Sequence, residues 1–127
     1  MTEQPIRDER ALENLTLDQL VQLMIRIQGI RRRRVRELRE LRVALAAKIR
    51  DQEVAHAGAF LGADGAMDLR KQEAVLAAAE AKFQTAVAEA EVESCRESIK
   101  ILIDDWDTCR TASANKRSEM AMSGMAS

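Results

Sequence analysis

The chain contains almost none of the aromatic residues that are enriched in β-sheets. Of its 127 residues none is Tyr, two are Phe, one is Trp and one is Pro, so aromatic residues make up only 2%. Strands need aromatic and β-branched runs, whereas a sequence rich in alanine and poor in proline favours helix at nearly every interior position. A composition of 46% hydrophobic and 32% charged residues is typical of a folded domain rather than of a disordered chain. We therefore predict an all-α protein.

Several functional classes are disfavoured by what is missing. No stretch approaches the roughly 18 apolar residues of a membrane-spanning helix, and the N-terminal Met-Thr-Glu-Gln-Pro lacks the basic-then-apolar order of a secretion signal. We expect a cytoplasmic protein without a membrane partner. Because the chain has no Gly-rich phosphate loop, Ser/His/Asp set or paired-Cys motif, we expect neither an enzyme nor a bound cofactor. His56 is the only histidine, and we expect no catalytic or metal-binding role for it.

Two other groups of residues have a functional and a structural interpretation. The run Asp104-Asp105-Trp106-Asp107 suggests a metal site, but successive helical residues diverge by about 100° and do not converge on one ion. We expect these acids to face solvent and Trp106 to lie in the core. Cys95 and Cys109 are 14 residues apart, about 21 Å along a helix, too far for a disulfide. We expect two buried, reduced thiols.

The spacing of apolar residues predicts a long antiparallel two-helix hairpin, coiled-coil-like, over residues 16–112. Thr16-Leu17-Asp18-Gln19 matches the capping box that begins a helix. The first helix should span about 17–56 and the second about 67–111, joined by a glycine-rich loop at about 57–66.

Both ends of the hairpin are extended by short segments. Residues 1–15 form a short N-terminal arm, with one or two helical turns begun by Pro5. Residues 113–127 form a C-terminal tail with a short helical piece at about 114–122.

The second helix carries a stripe of large apolar residues whose period is about 3.64, that of a straight α-helix rather than of a long supercoil. With the loop centred near residue 62, opposed positions sum to about 125. This register places Leu41 near Phe83, Ile49 near Leu76 and Arg36 opposite Glu89. The predicted stripe consists of Leu69, Leu76, Phe83, Val87, Cys95, Ile99, Leu102, Trp106 and Cys109.

Positive charge is concentrated in one segment. Seven of the twelve residues from Arg31 to Arg42 are arginine, although the net charge of the chain is only −1. Residues 1–50 carry 12 basic and 7 acidic groups, whereas the remainder carries 8 basic and 14 acidic. We favour pairing of the arginines with the acidic second helix, because the register brings them together. Alternatively, an acidic protein partner binds them, or a solvent-facing subset binds nucleic-acid phosphates. That subset is Arg32, Arg33, Arg36 and Arg39.

The open end of the hairpin, opposite the loop, has apolar residues on more than one face of each helix. One helix–helix contact does not cover both faces. We therefore expect a second chain to pack there, with the arm completing the layer, in a homodimeric four-helix arrangement. The candidate oligomer contacts are Leu20, Val21, Ile25, Ile101, Ile103 and Trp106.

The loop and second helix also resemble a known group of proteins. The most specific segment is the Phe-Leu-x-x-x-Gly turn from Phe60 to Gly65 before the Arg70-Lys71 pair, followed by residues 86–93 and Cys95-Arg96. Over about residues 55–120 the chain resembles small helical proteins encoded by bacteriophages and prophages of actinobacteria. The resemblance implies a phage-encoded accessory protein in the cytoplasm of the host bacterium, expressed with replication or recombination genes. It implies no catalytic residue.

These observations lead to three functional hypotheses. We favour a non-enzymatic, self-associating helical hairpin that acts through protein–protein contacts. The first alternative is a nucleic-acid-binding accessory protein of phage replication or recombination that uses the Arg31–Arg42 segment. The second alternative is a structural component of the virion.

Overall fold

The computed structural model describes residues 9–126, with the side chains of residues 11–124, and within these limits it contains only α-helices. The helices are α1 (Glu9–Glu13), α2 (Leu17–Gly62), α3 (Met67–Ala77) and α4 (Ala79–Ala126). The long helices α2 and α4 form the antiparallel hairpin, which confirms the predicted fold class. The helical turn predicted at Pro5 lies outside the described residues. Among the helices described, none is long and apolar enough to cross a bilayer.

The beginning of α2 is fixed by the predicted capping box. The backbone N–H of Thr16 donates to Gln19 Oε1 at 2.9 Å, and the N–H of Gln19 donates to Thr16 Oγ1 at 3.2 Å. These reciprocal bonds satisfy amide groups that have no partner within the first turn. The sequence motif therefore located the first residue of the helix correctly.

The turn lies later in the chain than predicted, because α2 continues to Gly62 and only residues 63–66 connect it to α3. Among residues 9–126 only Gly65 takes a left-handed backbone conformation, with φ of 110°, which glycine adopts without steric cost. Arg70 stabilises the end of α2. Its guanidinium donates to the Phe60 carbonyl at 3.3 Å and lies over the Phe60 ring at 5.1 Å, so one of the last carbonyls of α2 has a partner.

The second helix also differs from the prediction at two places. It is interrupted at Ala78, where φ and ψ are −87° and −3°. The helical hydrogen bonds from Ala78 to Ala74 and from Lys82 to Ala78 remain. Beyond residue 111 the helix continues without a break to Ala126. The predicted tail is therefore part of α4, and Ser113, fully buried, lies on its packed side.

The chain divides into two compact units, which we describe separately. Unit 1 contains the described residues of 9–36 and 97–126. Large apolar side chains fill its core, and α1 contributes one of them, Leu12, so the arm does cover part of the open end. Lys116 Nζ also binds α1, since it donates a hydrogen bond to the Glu13 carbonyl at 2.8 Å. The buried core residues of unit 1 are Leu12, Leu20, Ile27, Ile30, Leu102 and Cys109.

Unit 2, residues 37–96, has a core of a different kind, because small side chains fill most of it. Thr85 links its two long helices, since its Oγ1 donates to the Lys48 carbonyl at 3.2 Å and to the Ala81 carbonyl at 3.0 Å. Helices that meet through small residues pack at short axial distances. The buried residues of unit 2 are Ala74, Ala78, Thr85, Ala88, Val92 and Cys95.

The packed side of each long helix follows heptad spacing, in which steps of four and three residues alternate. All of these positions are buried or half-buried, and the spacing is that of a coiled coil. The period of 3.64 inferred from the large residues is therefore wrong, because the packed side includes alanines that the inference passed over. On α2 the positions are 20, 24, 27, 31, 34, 38, 41, 45, 48, 52, 55 and 59. On α3 and α4 they are 74, 78, 81, 85, 88, 92, 95, 99, 102, 106, 109 and 113.

The predicted register is wrong for the same reason. A sum of 125 places Thr85 near residue 40, whereas its hydroxyl contacts Lys48, eight residues further along α2. In unit 1, Ser113 Oγ lies 3.7 Å from Met24 Sδ, whereas a sum of 125 places residue 101 opposite Met24. The later turn moves the reversal point, and the alanine positions rather than Leu76 and Phe83 face α2. Arg36 and Glu89 are therefore not an opposed pair.

Candidate protein-interaction surfaces

The side of α2 opposite its packed positions is exposed along the whole helix, and we call it the α2 outer face. Its exposed apolar residues are Ile25, Val43, Val54 and Leu61. In unit 1 the arginines of this face outnumber the acids by four to one, whereas in unit 2 two arginines and two acids balance each other. The arginines are Arg26, Arg32, Arg33, Arg36, Arg39 and Arg50, and the acids are Asp18, Glu40 and Glu53.

The four arginines predicted to contact nucleic acid all lie on the α2 outer face. Arg32, Arg33, Arg36 and Arg39 are exposed, and among the ion pairs of residues 11–124 none includes these four side chains. The other arginines of the consecutive run, Arg31 and Arg34, occupy packed positions and are half-buried. The four exposed arginines are therefore not paired with the acidic helix, contrary to the prediction.

The side of α3 and α4 opposite their packed positions is also exposed, and we call it the α4 outer face. Leu69, Leu76 and Phe83 lie on it one heptad apart, with 49%, 75% and 60% of their surfaces exposed. Val87 continues the line one turn beyond Phe83 and is exposed too. The predicted buried stripe thus contains four residues that face solvent, because the alanines one turn away occupy the packed positions.

The α4 outer face is acidic, with six acids against the single base Lys100 in the described residues. Three of the acids form local ion pairs within α4: Glu93 with Arg96, Glu97 with Lys100 and Asp107 with Arg110. These pairs are exposed and each stabilises the helix by less than about 1 kcal/mol. The six acids are Glu73, Glu80, Glu93, Glu97, Asp104 and Asp107.

The six candidate oligomer contacts do not form one surface. Leu20 is completely buried in the core of unit 1, so it is not available to a second chain in this structure, and Trp106 packs half-buried against the same core. Ile103 is half-buried. Val21, Ile25 and Ile101 are exposed. The open end was expected to carry an apolar surface wider than one helix–helix contact covers. This expectation needs correction, because the arm and the extended α4 cover part of that surface.

The acidic run around Trp106 is divided by the helix. Asp104 and Asp107 face solvent as expected, whereas Asp105 is buried. Burial raises the pKa of the Cys109 thiol, and the charge of Asp105, one turn away, raises this pKa further. Cys109 and Cys95 are both buried thiols that form no disulfide, as predicted. Trp106 lies under the guanidinium of Arg110, 5.5 Å from the ring centre.

The remaining titratable groups do not converge on one point. His56 is exposed beside Glu53, Val75 and Lys82 in a shallow depression near Ala78. In the part of the chain that the structure describes, no three His, Cys, Asp or Glu side chains are placed to hold a metal ion. The most distinctive surfaces of the described chain are therefore the two outer faces.

Sequence reasoning missed the α4 outer face as a surface, although a signal for it exists. Ala74, Ala78, Ala81 and Ala88 recur with steps of four, three and seven residues, and heptad spacing of small residues indicates a packed helix side as well as leucine does. Once the alanines are assigned to the packed side, the large residues between them must face away from it. Size alone favoured the opposite assignment.

Compared with protein families, curated proteins and solved structures, the chain shows no significant match.

Proposed function

We propose that this chain is a non-enzymatic, self-associating helical-hairpin protein that acts through protein–protein contacts, as an accessory protein of a bacteriophage or prophage. The observation that carries the proposal is the inverted size distribution in unit 2. Its buried residues are small, three of the six being alanine. Leu38, Leu41 and Leu45 are only half-buried on the packed side of α2, and ten other large apolar side chains are exposed. Those exposed residues are Val43, Ile49, Val54, Leu61, Met67, Leu69, Val75, Leu76, Phe83 and Val87.

The large number of exposed apolar residues supports the proposal that this surface is covered in the functional state. Single exposed leucines are ordinary, but contiguous apolar patches on a small domain mark sites of protein association. The line from Leu69 through Leu76 to Phe83 spans fourteen residues, about 21 Å of helix, which is the scale of a helix–helix contact. Burying these side chains would remove apolar surface that the chain itself does not cover.

The non-enzymatic part of the proposal rests on the state of the nucleophiles. Both thiols are buried, and the raised pKa of Cys109 keeps it protonated, whereas the thiolate is the reactive form.

 His56 is exposed, whereas both thiols are buried. The histidine therefore does not share a surface with either thiol on which it could act as a general base.

Self-association is tested first on the wild-type chain. Sedimentation velocity from about 1 to about 100 micromolar should give a weight-average mass that rises above the 14.2 kDa of one chain, because apolar association is driven by mass action. A single species of one-chain mass over the whole range would contradict the proposal.

Nucleic-acid binding is the second candidate, and the exposure of Arg32, Arg33, Arg36 and Arg39 on one side of α2 favours it. Such binding should weaken steeply as salt rises, since each phosphate contact releases counterions. Fluorescence anisotropy with single- and double-stranded DNA over a salt series measures it. We expect at most weak binding, because no aromatic side chain lies among these arginines to stack a base.

A matched variant separates the two candidates. Micromolar DNA binding that is lost in the Arg32→Glu/Arg36→Glu/Arg39→Glu chain, with helicity unchanged, would make nucleic-acid binding the better supported function. Binding that survives these changes would come from another surface.

A further inference from the structure

We propose that the α4 outer face of unit 2 binds an amphipathic helix of another protein, one that carries lysine or arginine at alternate positions of an apolar heptad line. The inference rests on the proposed function in that it names a partner for the protein–protein contacts, but it does not require self-association. The unit 2 part of the α2 outer face, where the charges balance, remains available for contacts between copies of the chain.

The α4 outer face carries a second line of residues with heptad spacing, in addition to the packed side. From residue 69 to residue 87 the steps are four, three, four, three and four residues, and all six positions are exposed. The line crosses the interruption at Ala78, where the helical hydrogen bonds are kept. Heptad spacing presents a continuous line of side chains to a neighbouring helix, so the occupant that fits this surface is a helix. The six residues, which we call the outer heptad line, are Leu69, Glu73, Leu76, Glu80, Phe83 and Val87.

Acids alternate with large apolar side chains along most of the outer heptad line. Among residues 11–124 the Glu73 carboxylate has no hydrogen-bond or ion-pair partner, and the Glu80 carboxylate accepts only a neutral hydrogen bond, from Gln84 Nε2 at 3.0 Å. A helix that covers the apolar side chains also covers these two carboxylates. Because a carboxylate that loses its water without gaining a cation is strongly disfavoured, the bound helix must place lysine or arginine opposite Glu73 and Glu80.

The residues beside the outer heptad line do not supply these cations. Within residues 69–87 the only base beside the line is Arg70, and its guanidinium already donates to the Phe60 carbonyl at 3.3 Å. Lys71 and Lys82 lie on other sides of the helix, since each residue turns by about 100°. The other neighbours are small or neutral, so they leave room for a helix to approach closely. These neighbours are Gln72, Ala77, Ala79, Gln84 and Ala86.

A second copy of this chain does not present such a helix on either of its outer faces. Between Arg26 and Arg39 the α2 outer face carries no large apolar side chain, and in unit 2 its arginines and acids balance. A second α4 outer face would bring further acids to Glu73 and Glu80 without a cation. The occupant is therefore a helix of a different protein.

Two synthetic helical peptides of about three heptads each test the inference. Both carry leucine at one position of the heptad line, and at the alternate position the first peptide carries lysine and the second carries glutamate. Fluorescence anisotropy measures their binding to the full chain. The lysine peptide should bind with a Kd of about 10 micromolar or lower, and at least about tenfold more tightly than the glutamate peptide, because it alone brings cations to Glu73 and Glu80.

Charge reversal on the chain should reverse this preference. The Glu73→Lys/Glu80→Lys variant should bind the glutamate peptide at least about tenfold more tightly than the lysine peptide. The matched control is Glu53→Lys/Glu89→Lys, which changes the net charge by the same amount at exposed positions away from the outer heptad line. This control should keep the wild-type preference for the lysine peptide.

Leu76→Asp distinguishes binding along the outer heptad line from general attraction to an acidic helix. The change adds a negative charge, so a lysine peptide that is attracted by charge alone would bind at least as tightly as before. Loss of the apolar contact at the centre of the line should instead weaken binding at least about tenfold. Circular dichroism checks helicity, and Leu76→Ser replaces this variant if helicity is lost.

The possible results separate the inference from the function on which it rests. Equal affinity for the two peptides, unchanged binding in Leu76→Asp, or no binding of the lysine peptide up to about 100 micromolar would overturn the inference. A monomeric wild type that binds the lysine peptide would support the inference and contradict self-association. If the lysine peptide instead dissociates oligomers of the chain in sedimentation velocity, a second copy occupies this face, and only the inference is overturned.

Discussion

Replacing Leu20 with alanine is expected to lower the free energy of unfolding by about 3 kcal/mol. Leu20 is 0% exposed and packs in the core of unit 1 with Leu12, Ile27 and Leu102. Removing three carbons there leaves a cavity that the surrounding helices only partly fill. Urea unfolding followed by circular dichroism measures the change.

Leu76→Ala is the matched control, because the same atoms are removed from a side chain that is 75% exposed. At concentrations where the chain is monomeric, its free energy of unfolding should change by less than about 0.5 kcal/mol. The destabilisation caused by Leu20→Ala should also be independent of protein concentration. A concentration-dependent loss would show that Leu20 is an intermolecular contact after all.

The opposite change, an enlarged side chain, is expected to damage unit 2. Ala74 is 0% exposed on the packed side of α3, where small residues allow the helices to approach. Ala74→Leu inserts three carbons into this contact and should lower the free energy of unfolding by about 2 kcal/mol, through overpacking. Thermal unfolding measures the effect.

Ala77→Leu tests whether the loss comes from packing, because Ala77 is exposed on the same helix and leucine has nearly the helix propensity of alanine. This variant should retain the stability of the wild type. Equal losses in both variants would mean that Ala74 is not packed against α2.

Local signals in the sequence were sufficient to predict the helices. The capping box at Thr16 and Gln19 located the start of α2 because its hydrogen bonds join residues three apart. The two cysteines were also predicted correctly as buried thiols outside a disulfide. A feature that depends on one short segment can be predicted from the sequence of that segment alone.

The register and the exposed faces could not be read in this way. Phe83 and Leu76 are larger than Ala74 and Ala78, so transfer free energy alone assigns them to the core. The structure instead places the alanines against α2, since the Thr85–Lys48 contact requires that rotation of the helix. Register depends on both helices and on the turn at once, and the turn came later than the three glycines suggested.

The arginine segment was predicted to pair with the acidic second helix. For Arg32, Arg33, Arg36 and Arg39 this prediction is wrong, because among residues 11–124 these four side chains form no ion pair. Charge counts compare the two halves of the chain but carry no information on helix rotation. Arg32, Arg36 and Arg39 lie on the side of α2 away from its packed positions, where an acidic partner must come from outside the hairpin.

Labelling of the two buried thiols can report partial opening of the chain. Cys95 belongs to unit 2 and Cys109 to unit 1, so each unit contains one cysteine that a soluble alkylating reagent reaches only after the packing around it opens. Single-cysteine chains would therefore give an opening free energy for each unit from labelling rates in native buffer. The raised pKa of Cys109 slows reaction from the closed state still further, because the thiolate is the form that reacts.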